Sequence, residues 1–461
     1  MSAVAVFDVG KTNAKLYAVA EDGAILAAAS TPNRLIDGPP YRHHDLAGLE
    51  AFLLDALADL ARRFPIEAVV PCAHGGSGVL VGEDAPLMPM VDYEQPLPED
   101  VVAAYRAEAD GFRERGGSAI MLGAAHAARQ LLWFERSWPE ALAAGRAYLP
   151  TAQYWSWRLS GVLADEVTSA AAQSHLWCAA EGRPAAIVTR RGWERLMAPM
   201  RPAWTALGPI RPGVAARTGL DPATRVLSGI HDSSANFYRY QAAGLSDVTL
   251  ISTGTWIVAL TDRSEGFDFD RAGGGRSCNA DVTGAPVPGM LTMGGREFSA
   301  VAAGAPGPAD PAALRRLVAG RVMALPFFDQ DEGLFPGRGG CGRIVGDLRR
   351  EDRFTLAVLY AALLTAEALD ALPPSRTVVL DGTFVRDPLY GALVQALRPG
   401  AEVLVNPDSA GHASGAALLA GHESRRARPR ISLIRPDTSG LPDLDAYRAA
   451  WREALTMETQ P

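Results

Sequence analysis

Eight residues near the start of the chain, Asp8-Val9-Gly10-Lys11-Thr12-Asn13-Ala14-Lys15, gather one carboxylate, two ammonium groups, a hydroxyl, an amide and several backbone N–H groups. Such a set can cradle phosphate and anchor a metal. The N–H groups and ammoniums meet the anion, and the carboxylate meets the cation. Cation usage sharpens this reading. Lys and Arg together number 44, yet the only lysines are Lys11 and Lys15. Arg is the default cation of this chain, so a compact ammonium is kept for one loop. The plainer alternative is a charged hairpin at a sheet edge.

Three further stretches carry chemistry. Ser228-Gly229-Ile230-His231-Asp232-Ser233-Ser234 reads as a strand running into glycine, then a helix start. Asp232 stands where a helix N-terminus meets a carboxylate, which a plain N-cap would also explain. Contiguous His, Asp and Ser do not form a hydrolase relay, because those groups must converge from different elements, and no G-x-S-x-G elbow is present. Ala73-His74-Gly75-Gly76 ends a strand with a side chain and bare backbone at a sheet end, where α/β proteins bind ligands. His74 alone reads equally well as a turn residue bonded to backbone. The glycines here fit neither G-x-G-x-x-G nor the Walker pattern. Asp381-Gly382-Thr383 follows a buried strand, Thr377–Leu380.

The elements that must hold these residues follow from periodicity. Val4 to Phe7 and Leu16 to Val19 are strand formers around a glycine turn. Gly244 to Leu260, GLSDVTLISTGTWIVAL, repeats that shape around Thr253-Gly254-Thr255, as an internal repeat would. Two such hairpins predict an α/β protein of two related domains over a cleft, with the boundary near Gly244. The expected division is residues 1–243, 244–425 and a tail, 426–461, holding one amphipathic helix. Thr151 is expected to cap the helix TAQYWSWRLSG, which Gly161 ends. LAVLYAALLTAEALDAL reads as a buried helix. Asp387-Pro388 starts another with Pro in its first turn. Gly411 opens a small-residue helix able to approach a ligand or sheet closely.

At 461 residues the chain exceeds a single core. A net charge of -8 gives no electrostatic footprint for nucleic acid. The four cysteines are far apart and form no C-x-x-C pair, which speaks against zinc and a disulfide framework. Val4 already starts a strand, so no signal peptide is read, and no apolar run reaches the roughly 18 residues that span a bilayer. A cytoplasmic protein is expected.

Taken in order, the chain shows a D-x-G-x-T-x-x-K hairpin, a strand ending His-Gly, a G-x-H-D-S turn, a T-G-T-W hairpin, a strand with a D-G-T turn, and a final Gly/Ala helix. This order resembles the FGGY carbohydrate kinases from Val4 to about His422, nearest the branch around rhamnulokinase and L-fuculose kinase. The resemblance implies two actin/Hsp70-like (ribonuclease H-like) domains that close over ATP, Mg²⁺ and a sugar. It implies that Asp8 sits near Mg²⁺ through water. It places Gly10, Lys11, Thr12, Asn13 and Lys15 at the β- and γ-phosphates, with Thr253, Gly254 and Thr255 on the other side. Asp232 becomes the general base. Gly382 and Thr383 lie beside the adenosine. Ala73, His74, Gly75, Asp92 and His231 line the sugar pocket. Two positions depart from the pattern. The adenosine turn usually has consecutive glycines, and Lys11 replaces a hydroxyl residue, as either a phosphate-binding cation or a solvated charge. The expected activity is ATP-dependent phosphorylation of a ketose such as L-rhamnulose or L-fuculose. A pentulose or polyol kinase and a weakly catalytic sugar sensor are the alternatives. The small-molecule sugar and ATP are the expected partners, without nucleic acid or membrane, and a homodimer is allowed.

Overall fold

The computed structural model describes residues 2–121, 123–329, 333–408, 411–424, 429 and 431–456. Its first strand, β1 (Ala3–Val9), is apolar on both faces and almost fully buried, as a central strand covered on both sides must be. It pairs antiparallel with β2 (Asn13–Val19), which sets Asp8 opposite Lys15. β2 pairs with β3 (Ile25–Pro32). On its other side β1 runs parallel to β4 (Ile66–Ala73). Next come β5 (Ala206–Pro209), β6 (Arg225–Leu227) and β7 (Ile230–His231). The sheet order is β5-β6-β4-β1-β2-β3, with β7 also on β4.

The second sheet uses the same plan. β8 (Val248–Thr253) and β9 (Ile257–Thr261) form an antiparallel hairpin. They are followed by β10 (Arg276–Ala280), β11 (Pro286–Thr292), β12 (Thr377–Gly382) and β13 (Glu402–Val405). The order is β10-β11-β9-β8-β12-β13, with β12 parallel to both β8 and β13. In both sheets the hairpin's first strand runs parallel to a later strand on its open side. The internal repeat read from two short loops is thus a repeat of topology, and the α/β class holds.

The chain divides at Leu245, beside the expected boundary near Gly244, but later segments return across it. One compact unit comprises Met1–Leu245, Cys278–Pro286 and Ala410–Arg430, and the other Ser246–Ser277, Val287–Ser409 and Ile431–Pro461. Two packing facts account for it. The small-residue helix Gly411–Leu418 packs on the helix Asp232–Ala242 of the first unit, so closely that a Cβ on Gly415 would lie 1.8 Å from the Ala235 carbonyl oxygen. The C-terminal helix, Asp445–Thr456, is no appendage. It buries Tyr447, Trp451 and Leu455 in the second unit's core, where Trp451 Nε1 donates to Ala324 O at 2.7 Å. Residues 426–428, 430 and 457–461 of the expected tail lie outside the described residues.

Local expectations mostly match. The helix Thr151–Ser160 ends at Gly161, with φ of 83°, but Thr151 is not its cap. Thr151 is already helical, and its hydroxyl donates to Ser77 O at 3.2 Å instead. Asp387 caps the helix Pro388–Leu397 by accepting from Leu389 N at 3.0 Å. Among the described residues no helix is long and apolar enough to cross a membrane.

Candidate active site

Parallel pairing brings the C-terminal ends of β1, β4 and β7 side by side. Val9 is opposite Ala73, and Ala73 is opposite His231. Asp8, His74, His231 and Asp232 therefore share one sheet end, although they come from three parts of the sequence.

Asp232 is the first residue of the helix Asp232–Ala242. It accepts from Ser233 N at 2.5 Å, and its Oδ1 lies 3.2 Å from His231 Nε2. Burial works against its ionisation. The neighbouring His231, His412 and His74 and the Ser233 N–H outweigh that, and its pKa lies below the usual 3.8. Asp8 goes the other way. Burial, aided by the charge of Asp232, pushes it up to about 6 against the pull of His412 and Lys15. Two carboxylates at one sheet end are thus held in different protonation regimes by their surroundings.

Burial pushes His231 down, so its imidazole is neutral. With Asp232 ionised, Nε2 carries the proton toward the carboxylate, and Nδ1 faces the Ser234 hydroxyl at 3.2 Å. The His231 backbone N–H donates to Thr168 Oγ1 at 3.1 Å, and that hydroxyl donates to the buried Glu166 at 2.5 Å. His74 is also pushed down by burial. Its Nδ1 bonds Gly75 O at 3.0 Å, as the turn reading had it. Its Nε2 is buried without a partner among the described residues, which leaves one polar atom for a ligand.

Lys11 is engaged within the protein. Its ammonium is ion-paired with Asp92 and lies 4.4 Å from the Tyr93 ring centroid. Asp92 is fully buried, and its other oxygen accepts from Arg42 Nε at 2.6 Å. With 21% of its side chain exposed and its ammonium on Asp92, Lys11 is not a solvated charge. The loop around it is braced by Asn33, whose side chain donates to Gly10 O at 2.8 Å and whose backbone donates to Thr12 O at 2.9 Å. Thr12 and Asn13 are exposed.

In the second unit, Thr253 is spent inside the protein. Its hydroxyl donates to Asp381 O at 2.8 Å and accepts from Phe384 N at 3.0 Å. Its carbonyl accepts from Thr383 N at 2.8 Å. Gly382 has φ of 98°, and a Cβ there would lie 2.0 Å from Thr253 O, so only glycine fits. The Asp381 carboxylate is buried and accepts from Gly382 N at 2.6 Å. The unusual Asp-Gly-Thr turn is therefore held by its own polar side chains. Beside it lies a cavity of about 470 Å³, whose lining includes Gly254, Gly295, Phe298, Phe354, Phe384 and Arg386. That is the size of a small-molecule site.

Residues 3–237 match the N-terminal domain of the FGGY family of carbohydrate kinases, and residues 245–429 match the FGGY carbohydrate kinase C-terminal domain. The chain belongs to the FGGY family of carbohydrate kinases. A carbohydrate kinase from Novosphingobium aromaticivorans is 31% identical, with a TM-score of 0.88 over 99% of this chain and all of that one. The Plasmodium falciparum glycerol kinase with ADP superposes with a TM-score of 0.81 at 12% identity, over 100% of this chain and 99% of that one, which shows the fold alone. The L-fuculokinase of Escherichia coli K12 is 25% identical over 266 residues, so the match spans 56% of this chain and 56% of that protein.

Four residues of this FGGY chain at the first unit's site were not among the candidate residues: Arg42, His44, Tyr93 and His412. His44 lies 6.0 Å from the His74 ring, and Tyr93 lies 5.5 Å from it. Arg42 and Tyr93 lie in loops, His44 in the two-residue strand His43–His44 and His412 in the helix Gly411–Leu418. The available hints were Tyr93 adjoining Asp92 and His412 in the small-residue helix.

Proposed function

We propose that the protein is an ATP-dependent kinase that transfers the γ-phosphoryl group to a hydroxyl of a ketose, with Asp232 as general base. The carrying observation is the pairing of an Asp232 held ionised with the unpartnered His74 Nε2 at one sheet end. A sugar hydroxyl bonded to Asp232 loses its proton to that carboxylate as it attacks phosphorus. His231 orients Asp232 and stabilises its charge. His74, Asp92 and the backbone of Ala73 and Gly75 line the sugar side. Lys11 and Arg42 hold Asp92 in place there, so in this reading Lys11 serves the sugar side. Gly10, Thr12, Asn13 and Lys15 offer N–H groups, a hydroxyl and an ammonium to the phosphates, as Gly254 and Thr255 of the second hairpin offer backbone and a hydroxyl. Gly382 and Thr383 shape the wall of the nucleotide cavity.

Mg²⁺ suits Asp8. A carboxylate pushed up by burial and by a like charge gains most from a nearby cation, directly or through water. When bound, the ion neutralises charge on the transferring group. The deoxy-ketoses L-fuculose and L-rhamnulose are the favoured substrates, in keeping with the likeness to L-fuculokinase.

The test is Asp232→Asn assayed for ADP release over ketoses, pentuloses, aldoses and polyols. Turnover is expected to fall by about 10²–10⁴-fold, with ATP and sugar still binding by calorimetry. Near-normal turnover in the variant would remove Asp232 from the chemistry. A parent enzyme silent on every sugar would favour a sensor.

A further inference from the structure

The cavity in the second unit carries a prediction about the nucleobase, resting on its reading above as the nucleotide pocket. Aromatic residues form its walls. Phe298 and Phe384 lie 5.2 Å apart at 31°, and Phe354 meets Phe298 edge-on at 5.5 Å. Such walls hold any purine by stacking and do not tell one from another. Discrimination is left to polar side chains, and nearly all of these are engaged. Ser299 donates to Gly295 O at 2.8 Å. Thr383 bonds the Thr253 carbonyl. Asp387 accepts from Leu389 N with one oxygen and from Ala309 N, at 2.8 Å, with the other. Tyr390 shares its hydroxyl proton with Thr365 at 2.7 Å.

Arg386 is the exception. It lines the cavity, is exposed, and among the described residues its guanidinium has no ion pair or hydrogen bond. The short turn Phe384–Arg386 fixes its backbone, and its N–H donates to Thr383 O at 3.3 Å. A guanidinium only donates. Guanine offers two acceptors, O6 and N7, on the edge that arginine grips with two bonds, whereas adenine offers N7 beside a donor amino group. An amide side chain would suit adenine better.

We propose that this kinase uses guanine as well as adenine nucleotides, with Arg386 as the residue that reads the purine edge. Initial rates of the full-length enzyme with saturating sugar, Mg²⁺ and either ATP or GTP test this. GTP is expected to support kcat/KM within about tenfold of ATP. Arg386→Gln is expected to shift the ATP-to-GTP ratio toward ATP by about tenfold, and Arg386→Ala to weaken GTP more than ATP. Calorimetry of ADP and GDP binding reads the same preference without turnover. A parent that disfavours GTP by more than about tenfold overturns the proposal. So do variants that lose both nucleotides equally, since Arg386 would then meet ribose or phosphate. If both diphosphates bind but no sugar is phosphorylated, the kinase reading fails and the purine preference is still measured.

Discussion

The hairpins β1–β2 and β8–β9 are one design executed twice, and they spend their polar groups in opposite ways. In the first, Asp8 faces Lys15 across the ladder, and a neighbour, Asn33, ties the turn from outside. The loop's own charges stay at its surface or reach across to Asp92. In the second, Thr253 faces Ile257 and Ser252 faces Val258, with no charged pair. Its main side chain is consumed in bracing the Asp381-Gly382-Thr383 turn. One hairpin keeps titratable groups at its loop. The other uses side chains to fix a backbone shape. In the proposed function phosphate binding would draw on both, because charge without fixed geometry and geometry without charge each leave the transition state half supported.

Breaking the charged hairpin is expected to have the largest effect. Asp8→Asn should lower kcat by about 10²–10³-fold, the usual loss of one positioned electrostatic group. The same variant should be more stable than its parent at neutral pH in metal-free buffer. The Asp8 carboxyl is raised from 3.8 to about 6, so between those values the native state keeps a proton that the unfolded chain has lost, and the parent loses stability as pH rises. Melting curves at pH 4 and pH 7 check the sign. The variant's advantage should be absent at the lower pH and present at the higher.

The two lysines separate the roles within that loop. Lys15→Ala should raise KM for ATP by about tenfold, as loss of one charge-assisted contact does. Lys11→Ala should instead raise KM for the sugar, because it loosens Asp92. Equal effects of both variants on ATP would return Lys11 to the phosphates. On the second hairpin, Thr253→Val leaves Asp381 O and Phe384 N short of a partner, and should cost about 1–3 kcal/mol in denaturant unfolding. Its KM for the sugar should hold. The smallest effect is expected at Thr255→Ala, within about twofold on every kinetic constant, if backbone there carries the contact.

What the sequence disclosed was whatever depends on neighbours along the chain. Alternating apolar residues around Gly10 and Gly254 made both hairpins readable, and Gly229 before His231-Asp232 announced the strand-to-helix turn. Proline after Asp387 marked a helix start that the structure shows. The side-chain partners were not readable. Nothing local says that Lys11 pairs with a carboxylate 81 residues away, or that Thr253 turns inward, because those choices follow from contacts distant in sequence, for Thr253 the register of two parallel strands. Helix membership failed for the same reason. Residues 411–418 read correctly as a close-packing helix, yet its partner is fixed by the fit of Gly415 on Ala235, which has no signature in either segment. The helix Asp445–Thr456 showed its apolar stripe but not which core would accept it.

That interleaving has a consequence for synthesis. The first unit cannot be completed when its sheet leaves the ribosome, since the helix that covers Ala235 begins at Gly411, 166 residues after Leu245. At about 5–20 residues per second, that surface waits roughly 8–33 s for its cover. During that interval the helix Asp232–Ala242 lacks the close cover that Gly415 later brings to Ala235. The last helix to emerge then closes a core begun some two hundred residues earlier.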